Sequence, residues 1–179
     1  GSMTLPNWIT FSRLLLAIPF LFLLEPPGHY FWALIFFLVA SLTDWVDGFL
    51  ARALNQVSTL GKLMDPLVDK VLVTGALVGL AAHGVLPAWS VTLILFREFL
   101  VTGLRALEAS RGVIVPAGWL GKAKTVMQMV AIALLLFALS SGNGLASAAG
   151  QACYWLAVVL TLLSGAQYLW AARSLFREP

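Results

Sequence analysis

The chain has 179 residues, 60% of them hydrophobic and only 11% charged, with a net charge of +3, and its mean hydropathy is +0.92. These values exclude an ordinary soluble globular domain and point to a protein whose main solvent is the bilayer. The small positive charge reads as topology and attraction to anionic lipid, so no nucleic acid partner is expected.

Gly1 and Ser2 before Met3 read as a cloning scar, and no cleavage-site pattern follows a short apolar segment, so the first hydrophobic stretch is expected to stay in the protein. Crossing a bilayer takes roughly 20 apolar residues. The first stretch to offer them is 8–24, where Asn7, Thr10 and Arg13 recur at helical spacing, and Glu25-Pro26-Pro27-Gly28-His29 ends it. A second span, 31–52, closes with Asp44, Asp47, Gly48, Ala51 and Arg52; the connection 53–60 leads to a third, 63–82, which opens with Asp65 and Asp69. His83-Gly84-Val85-Leu86-Pro87 separates it from a fourth, 87–109, carrying Arg97, Glu98 and Arg105, and Arg111 follows in 110–118. The fifth, 119–140, opens with Lys122 and Lys124, and Ser141-Gly142-Asn143-Gly144 precedes the sixth, 150–171. The expectation is an all-α integral membrane protein, one domain over 1–179 with six transmembrane helices. Cys153 has no cysteine or histidine neighbour in sequence and reads as a passive apolar residue. His29 and His83 are expected to be solvated loop residues.

Alternate connections sort by charge. The first, third and fifth contain no Lys or Arg, and every basic residue falls in the even connections, at the termini, or in the adjoining span halves. The positive-inside rule then puts both termini in the cytoplasm. Most of the seven tryptophans are near span ends, as in an interfacial belt.

Against that background the stretch TDWVDGFLARALNQVSTLGKLMDPLVDK, 43–70, is anomalous, because it holds four of the chain's eight acidic residues. Asp44 and Asp47 share a helical face at i, i+3, and Asp65 and Asp69 do so at i, i+4. A hairpin of the second and third spans brings the four level with each other. An acidic residue inside a span costs about 2.5 to 3.5 kcal/mol, and two carboxylates roughly 4 Å apart repel by about 4 kcal/mol at an effective dielectric near 20. Hard divalent cations relieve both costs, since they prefer carboxylate oxygen and leave positions open for phosphate. Gly48, Ala51 and Gly61 make a small-residue notch beside the acids, with Arg52 at its rim, where a flat nucleotide can approach backbone. On spacing alone a different reading stands: the acids pair with Arg52, Lys62 and Lys70 as a solvated charge patch.

The eight residues Asp44, Asp47, Gly48, Ala51, Arg52, Gly61, Asp65 and Asp69 fall as D-x2-D-G-x2-A-R-x8-G-x3-D-x3-D, which resembles the signature of the CDP-alcohol phosphatidyltransferase family at every position. The resemblance implies six transmembrane helices, a homodimer, and two divalent cations, Mg²⁺ or Mn²⁺, held by Asp44, Asp47, Asp65 and Asp69. It also implies a cytidine site over Gly48, Ala51, Arg52 and Gly61, release of CMP, and Asp69 as general base. The flanking stretches LPNWITFSRLLLAIPF, FREFLVTGLRALEASRG and WLGKAKTVMQ look like the bacterial phosphatidylglycerophosphate synthase branch of that family. CDP-diacylglycerol and glycerol 3-phosphate are the substrates so implied, at a cytoplasm-facing site in the inner membrane.

Arg97, Arg105, Arg111, Lys122 and Lys124 gather at the cytoplasmic ends of two adjoining spans and suit an anionic acceptor, whose phosphate a fork of cationic donors can grip. For Arg105 an ion pair with Glu98 is the alternative, and for Arg111 and Lys124 it is simple topological anchoring. Asn7, Thr10 and Arg13 are expected to border the head-group pocket. The rival functions are an inositol-phosphate or phosphatidylglycerol acceptor, giving a phosphatidylinositol-phosphate or cardiolipin synthase, and, from other classes, a divalent-cation transporter or a non-catalytic scaffold. Confinement of the acids to one membrane side argues against transport, which needs access from both.

Overall fold

The computed structural model describes residues 5–25, 28–53, 59–112 and 118–177; within these, the side chains of 5–7, 10, 44–45, 47–48, 50–52 and 59–69 lie outside the described set. Six helices follow in order: α1 Leu5–Leu24, α2 Tyr30–Ala53, α3 Thr59–Ala82, α4 Ala88–Arg111, α5 Trp119–Ser141 and α6 Gly144–Ala171, with a short 3₁₀ turn at Arg173–Phe176. No strand occurs among the described residues. Each predicted span coincides with one helix, and most helices extend beyond the apolar run because local chemistry carries them further. α6 starts at Gly144 rather than near 150 since the Asn143 side chain accepts from Ala146 N–H at 3.0 Å and caps the first turn. α4 and α5 stop at Gly112 and Gly142, which take the left-handed conformation (φ 67° and 72°) and return their N–H groups to the carbonyls of Glu108 and Ala138.

The helices pack as hairpins. α1 lies against α2 and α3, α5 against α6 and α2, and α4 bridges α3 and α6. Phe20, Phe37, Leu77, Leu80, Ile94, Ile132, Leu135 and Tyr154 are among the buried residues of the shared core. Close approach of α5 and α6 depends on Gly150, where a Cβ would meet Leu135 Cδ2 at 2.8 Å. Buried polar side chains are paired across helices, Ser90 with Tyr154 (2.6 Å) and Gln128 with Thr161 (3.0 Å), as an apolar interior requires.

Many large apolar side chains face outward among the described residues, including Leu15, Phe22, Phe99, Trp119 and Leu145. Such a surface suits lipid rather than water. α5 and α6, at 23 and 28 residues, are long and apolar enough to cross a bilayer.

His83 departs from the expected solvated loop residue. Its Nε2 bonds the Leu24 carbonyl, which can only accept, and in the neutral ring this leaves Nδ1 to accept from the Tyr30 hydroxyl at 2.9 Å. The ring thus ties the end of α3 to the end of α1 and the start of α2. His29 is exposed. Cys153 is a half-buried free thiol packed against the core.

Candidate active site

The eight-residue signature is divided between two helices. Asp44, Asp47, Gly48, Ala51 and Arg52 occupy the last part of α2, and Gly61, Asp65 and Asp69 the first part of α3, with the five positions 54–58 between the helices. Helical register puts Asp44 with Asp47, and Asp65 with Asp69, on shared faces. The side chains of all eight lie outside the described residues, as do those of Asn7 and Thr10. Arg13 is buried in α1, 1% exposed.

The next residue after Asp69 is described. Lys70 lines a cavity of about 470 Å³ formed by α3, α4 and α5, and its ammonium donates to Thr102 Oγ1 on α4. The same cavity is lined by Arg97, Glu98 and Arg105 of α4 and by Lys122 and Lys124 of α5. Four of the five basic residues expected to bind an acceptor phosphate therefore meet around one space, joined by a fifth cation that the sequence suggested only as a partner for the aspartates. Among the described lining residues, five formal positive charges face one negative. Each charge-assisted hydrogen bond such a group makes to a phosphate contributes about 1.5 to 3 kcal/mol.

Burial and tethering set the cations in order. Lys124 is buried and ion-paired with Glu98. Arg97, 7% exposed, reaches Glu98 Oε1 through Nη1 at 3.4 Å and donates through Nη2 to Ser164 Oγ at 3.0 Å. Its buried Nε has no hydrogen-bond partner among the described residues. Arg105 lies over the Tyr168 ring at 5.8 Å, and the Tyr168 hydroxyl donates to Glu108. A smaller cavity of about 280 Å³, on the α6 side, shares Arg97, Arg105 and Gly121 with the first and adds Ser164, Gln167 and Tyr168. The two arginines thus form a wall common to both spaces.

Two sequence readings change. Glu98 pairs with Lys124 and Arg97, not with Arg105, because seven residues of helix separate Glu98 from Arg105 by about 10.5 Å of rise whereas Lys124 comes across from α5. Arg111 is not among the described residues that line either cavity. Its Nη1 donates to the Leu175 carbonyl at 2.6 Å, fastening the terminal 3₁₀ turn to the end of α4. Ser164, Gln167 and Tyr168 had no sequence signal, for they enter only through the packing of α6 on α4. An apolar recess of about 660 Å³ bounded by Ile18, Phe22, Trp32 and Phe36 is larger, but among its described lining residues it has no acidic, Lys or Arg side chain.

The four aspartates are hard oxygen donors, the set that Mg²⁺ and Mn²⁺ favour, so in kind and number they fit divalent cations. Among the described residues no other group of three or more His, Cys, Asp or Glu can hold a metal.

A statistical model of the CDP-alcohol phosphatidyltransferase family matches residues 3–163. The CDP-diacylglycerol–glycerol-3-phosphate 3-phosphatidyltransferase of Bacillus subtilis is 40% identical to this chain over 178 residues, 92% of each protein. The protein of the same name from Escherichia coli K12 is 42% identical over 179 residues, 95% of each. Its Rickettsia bellii counterpart is 36% identical over 176 residues, 96% of this chain and 97% of the relative. With the signature on α2 and α3 and likeness over nearly the whole length, the chain belongs to the CDP-alcohol phosphatidyltransferase family.

Proposed function

We propose that the chain transfers the phosphatidyl group of CDP-diacylglycerol to glycerol 3-phosphate, forming phosphatidylglycerophosphate and CMP. The observation that carries this reading is the cavity lined by Lys70, Arg97, Arg105, Lys122 and Lys124, Lys70 being the residue that follows the aspartate motif in sequence. An acceptor with a dianionic phosphate fits it, and relatives over nearly the full length bear that reaction in their names.

In the mechanism, Gly48, Ala51, Arg52 and Gly61 receive the cytidine, and the acyl chains remain in the bilayer. Asp44, Asp47, Asp65 and Asp69 would hold two divalent cations, Mg²⁺ or Mn²⁺, which when bound neutralise the pyrophosphate charge and favour its cleavage. Arg97, Arg105, Lys122 and Lys124 grip the acceptor phosphate and so orient the primary hydroxyl. Asp69 draws the proton from that hydroxyl as its oxygen bonds to the lipid-linked phosphorus. The bond from this phosphorus to the oxygen of CMP breaks, CMP leaves with the electron pair, and the proton passes from Asp69 to solvent. Arg111 belongs to the fold rather than the pocket in this reading, and Asn7, Thr10 and Arg13 border the head group.

The surrounding architecture follows the same reading: α1 to α6 as six spans, the shortest of 20 residues and so near 30 Å long at about 1.5 Å per residue, both termini and the site facing the cytoplasm, a single domain in the bacterial inner membrane, and a homodimer. The test is CMP release by purified protein from CDP-diacylglycerol with glycerol 3-phosphate, inositol 1-phosphate, phosphatidylglycerol or glycerol as acceptor, with and without chelator. Metal-dependent use of glycerol 3-phosphate and failure of glycerol are expected. Preference for inositol 1-phosphate or phosphatidylglycerol would move the chain to another branch, and full turnover in excess chelator would remove the metal role.

A further inference from the structure

The cavity between α3, α4 and α5 is basic, yet one carboxylate, Glu98, stands among the described residues that line it. Alone, it would oppose a phosphate, because like charges at low dielectric repel. Ion pairing explains one of its two oxygens: Oε1 accepts from Lys124 Nζ and, at 3.4 Å, from Arg97 Nη1. Among the described residues both bonds fall on Oε1, so Oε2 keeps its capacity to accept. Glu98 is also the wetter partner, its side chain 20% exposed against 9% for each cation. An ionised carboxylate accepts and never donates, so a ligand group that meets Oε2 must carry a hydrogen. A phosphate dianion has none to give.

Glycerol 3-phosphate carries two hydroxyls. The primary one is consumed as nucleophile. The secondary one lies on the carbon next to the phosphate-bearing carbon, within short reach of cations that hold the phosphate. We infer that Glu98 Oε2 accepts a hydrogen bond from this secondary hydroxyl, and that Glu98 is a specificity-determining residue selecting a phosphorylated vicinal polyol over a phosphorylated simple alcohol. One oxygen steadies Lys124 and Arg97, and the other reads the carbon between nucleophile and phosphate. This inference rests on glycerol 3-phosphate being the acceptor.

The test uses the purified full chain with CDP-diacylglycerol and Mg²⁺ and compares glycerol 3-phosphate with 3-hydroxypropyl phosphate, which has the same phosphate and primary hydroxyl but lacks the secondary one. The wild type should favour glycerol 3-phosphate in kcat/KM by roughly tenfold to a hundredfold, the range expected of a hydrogen bond to a charged group. Glu98→Leu should bring the two acceptors near parity. Glu98→Gln, which keeps the shape and a neutral acceptor, should retain a reduced preference. Removing the negative charge also alters phosphate affinity and the support of Lys124, but equally for both acceptors, so the ratio isolates the hydroxyl. If Glu98→Leu does not fold, the Gln variant decides. An undiminished preference in Glu98→Gln, or a wild type that uses both acceptors equally, overturns the inference. A wild type that rejects glycerol 3-phosphate in favour of another acceptor sinks the acceptor assignment first, visible before any variant is made, and the role of Glu98 with it.

Discussion

Gly165 of α6 lies against Arg97 of α4, so closely that a Cβ at Gly165 would stand 2.9 Å from Arg97 Cγ. The missing side chain lets the arginine stem cross α6 and reach Ser164 Oγ while its head stays at the cavity wall. Cγ is near the rigid end of the stem, and the far end is tied, so the arginine has little freedom to yield.

We predict that Gly165→Ala displaces the Arg97 guanidinium and raises KM for glycerol 3-phosphate by about tenfold, the scale of one lost charge-assisted bond, with KM for CDP-diacylglycerol nearly unchanged. Steady-state kinetics with each substrate varied in turn would show it. An unaltered KM for the acceptor would mean Arg97 does not hold it.

Arg105 is exposed, sits over Tyr168 and borders both cavities. Arg105→Ala is expected to raise KM for glycerol 3-phosphate by about tenfold to a hundredfold, again from one charge-assisted contact. A matching rise in KM for the lipid donor would assign the residue to general pocket structure.

For Asp69, on α3 directly before the cavity residue Lys70, we predict that Asp69→Asn abolishes turnover and leaves CDP-diacylglycerol binding measurable. In the proposed mechanism three carboxylates would remain to hold the nucleotide through divalent cations, whereas the proton acceptor would be gone. CMP release and a separate donor-binding measurement separate the two effects. Near-normal turnover would take the base role from Asp69.

The Tyr30–His83 bond at 2.9 Å is far in sequence from the aspartates and fastens helix ends. Tyr30→Phe should lower stability by about 0.5 to 1.5 kcal/mol, the net worth of one hydrogen bond, without changing KM for either substrate. Thermal unfolding in detergent alongside kinetics would test this, and a kinetic defect at unchanged stability would contradict it.

Local chemistry decided much of this protein. Apolar runs of roughly span length, closed by residues such as Gly112 and Gly142 that turn left-handed, specify six helices from the sequence alone, because each run can satisfy its own backbone only as a helix where water is absent. The aspartate motif was legible for the same reason: four carboxylates in an apolar chain at helical spacing demand a compensating charge wherever the helices pack. Packing alone decided which basic residues share a space. Arg97 and Lys124 are 27 positions apart in sequence and meet through Glu98 only because α5 lies where it does. Arg111, of the same type and nearly the same region, turns instead to the Leu175 carbonyl. A cation's sequence position carries its charge but not its direction, since long side chains choose among partners that tertiary contact brings within a few ångströms. His83 failed as a solvated loop residue in the same way, for the Leu24 carbonyl and the Tyr30 hydroxyl that claim it arrive from other helices.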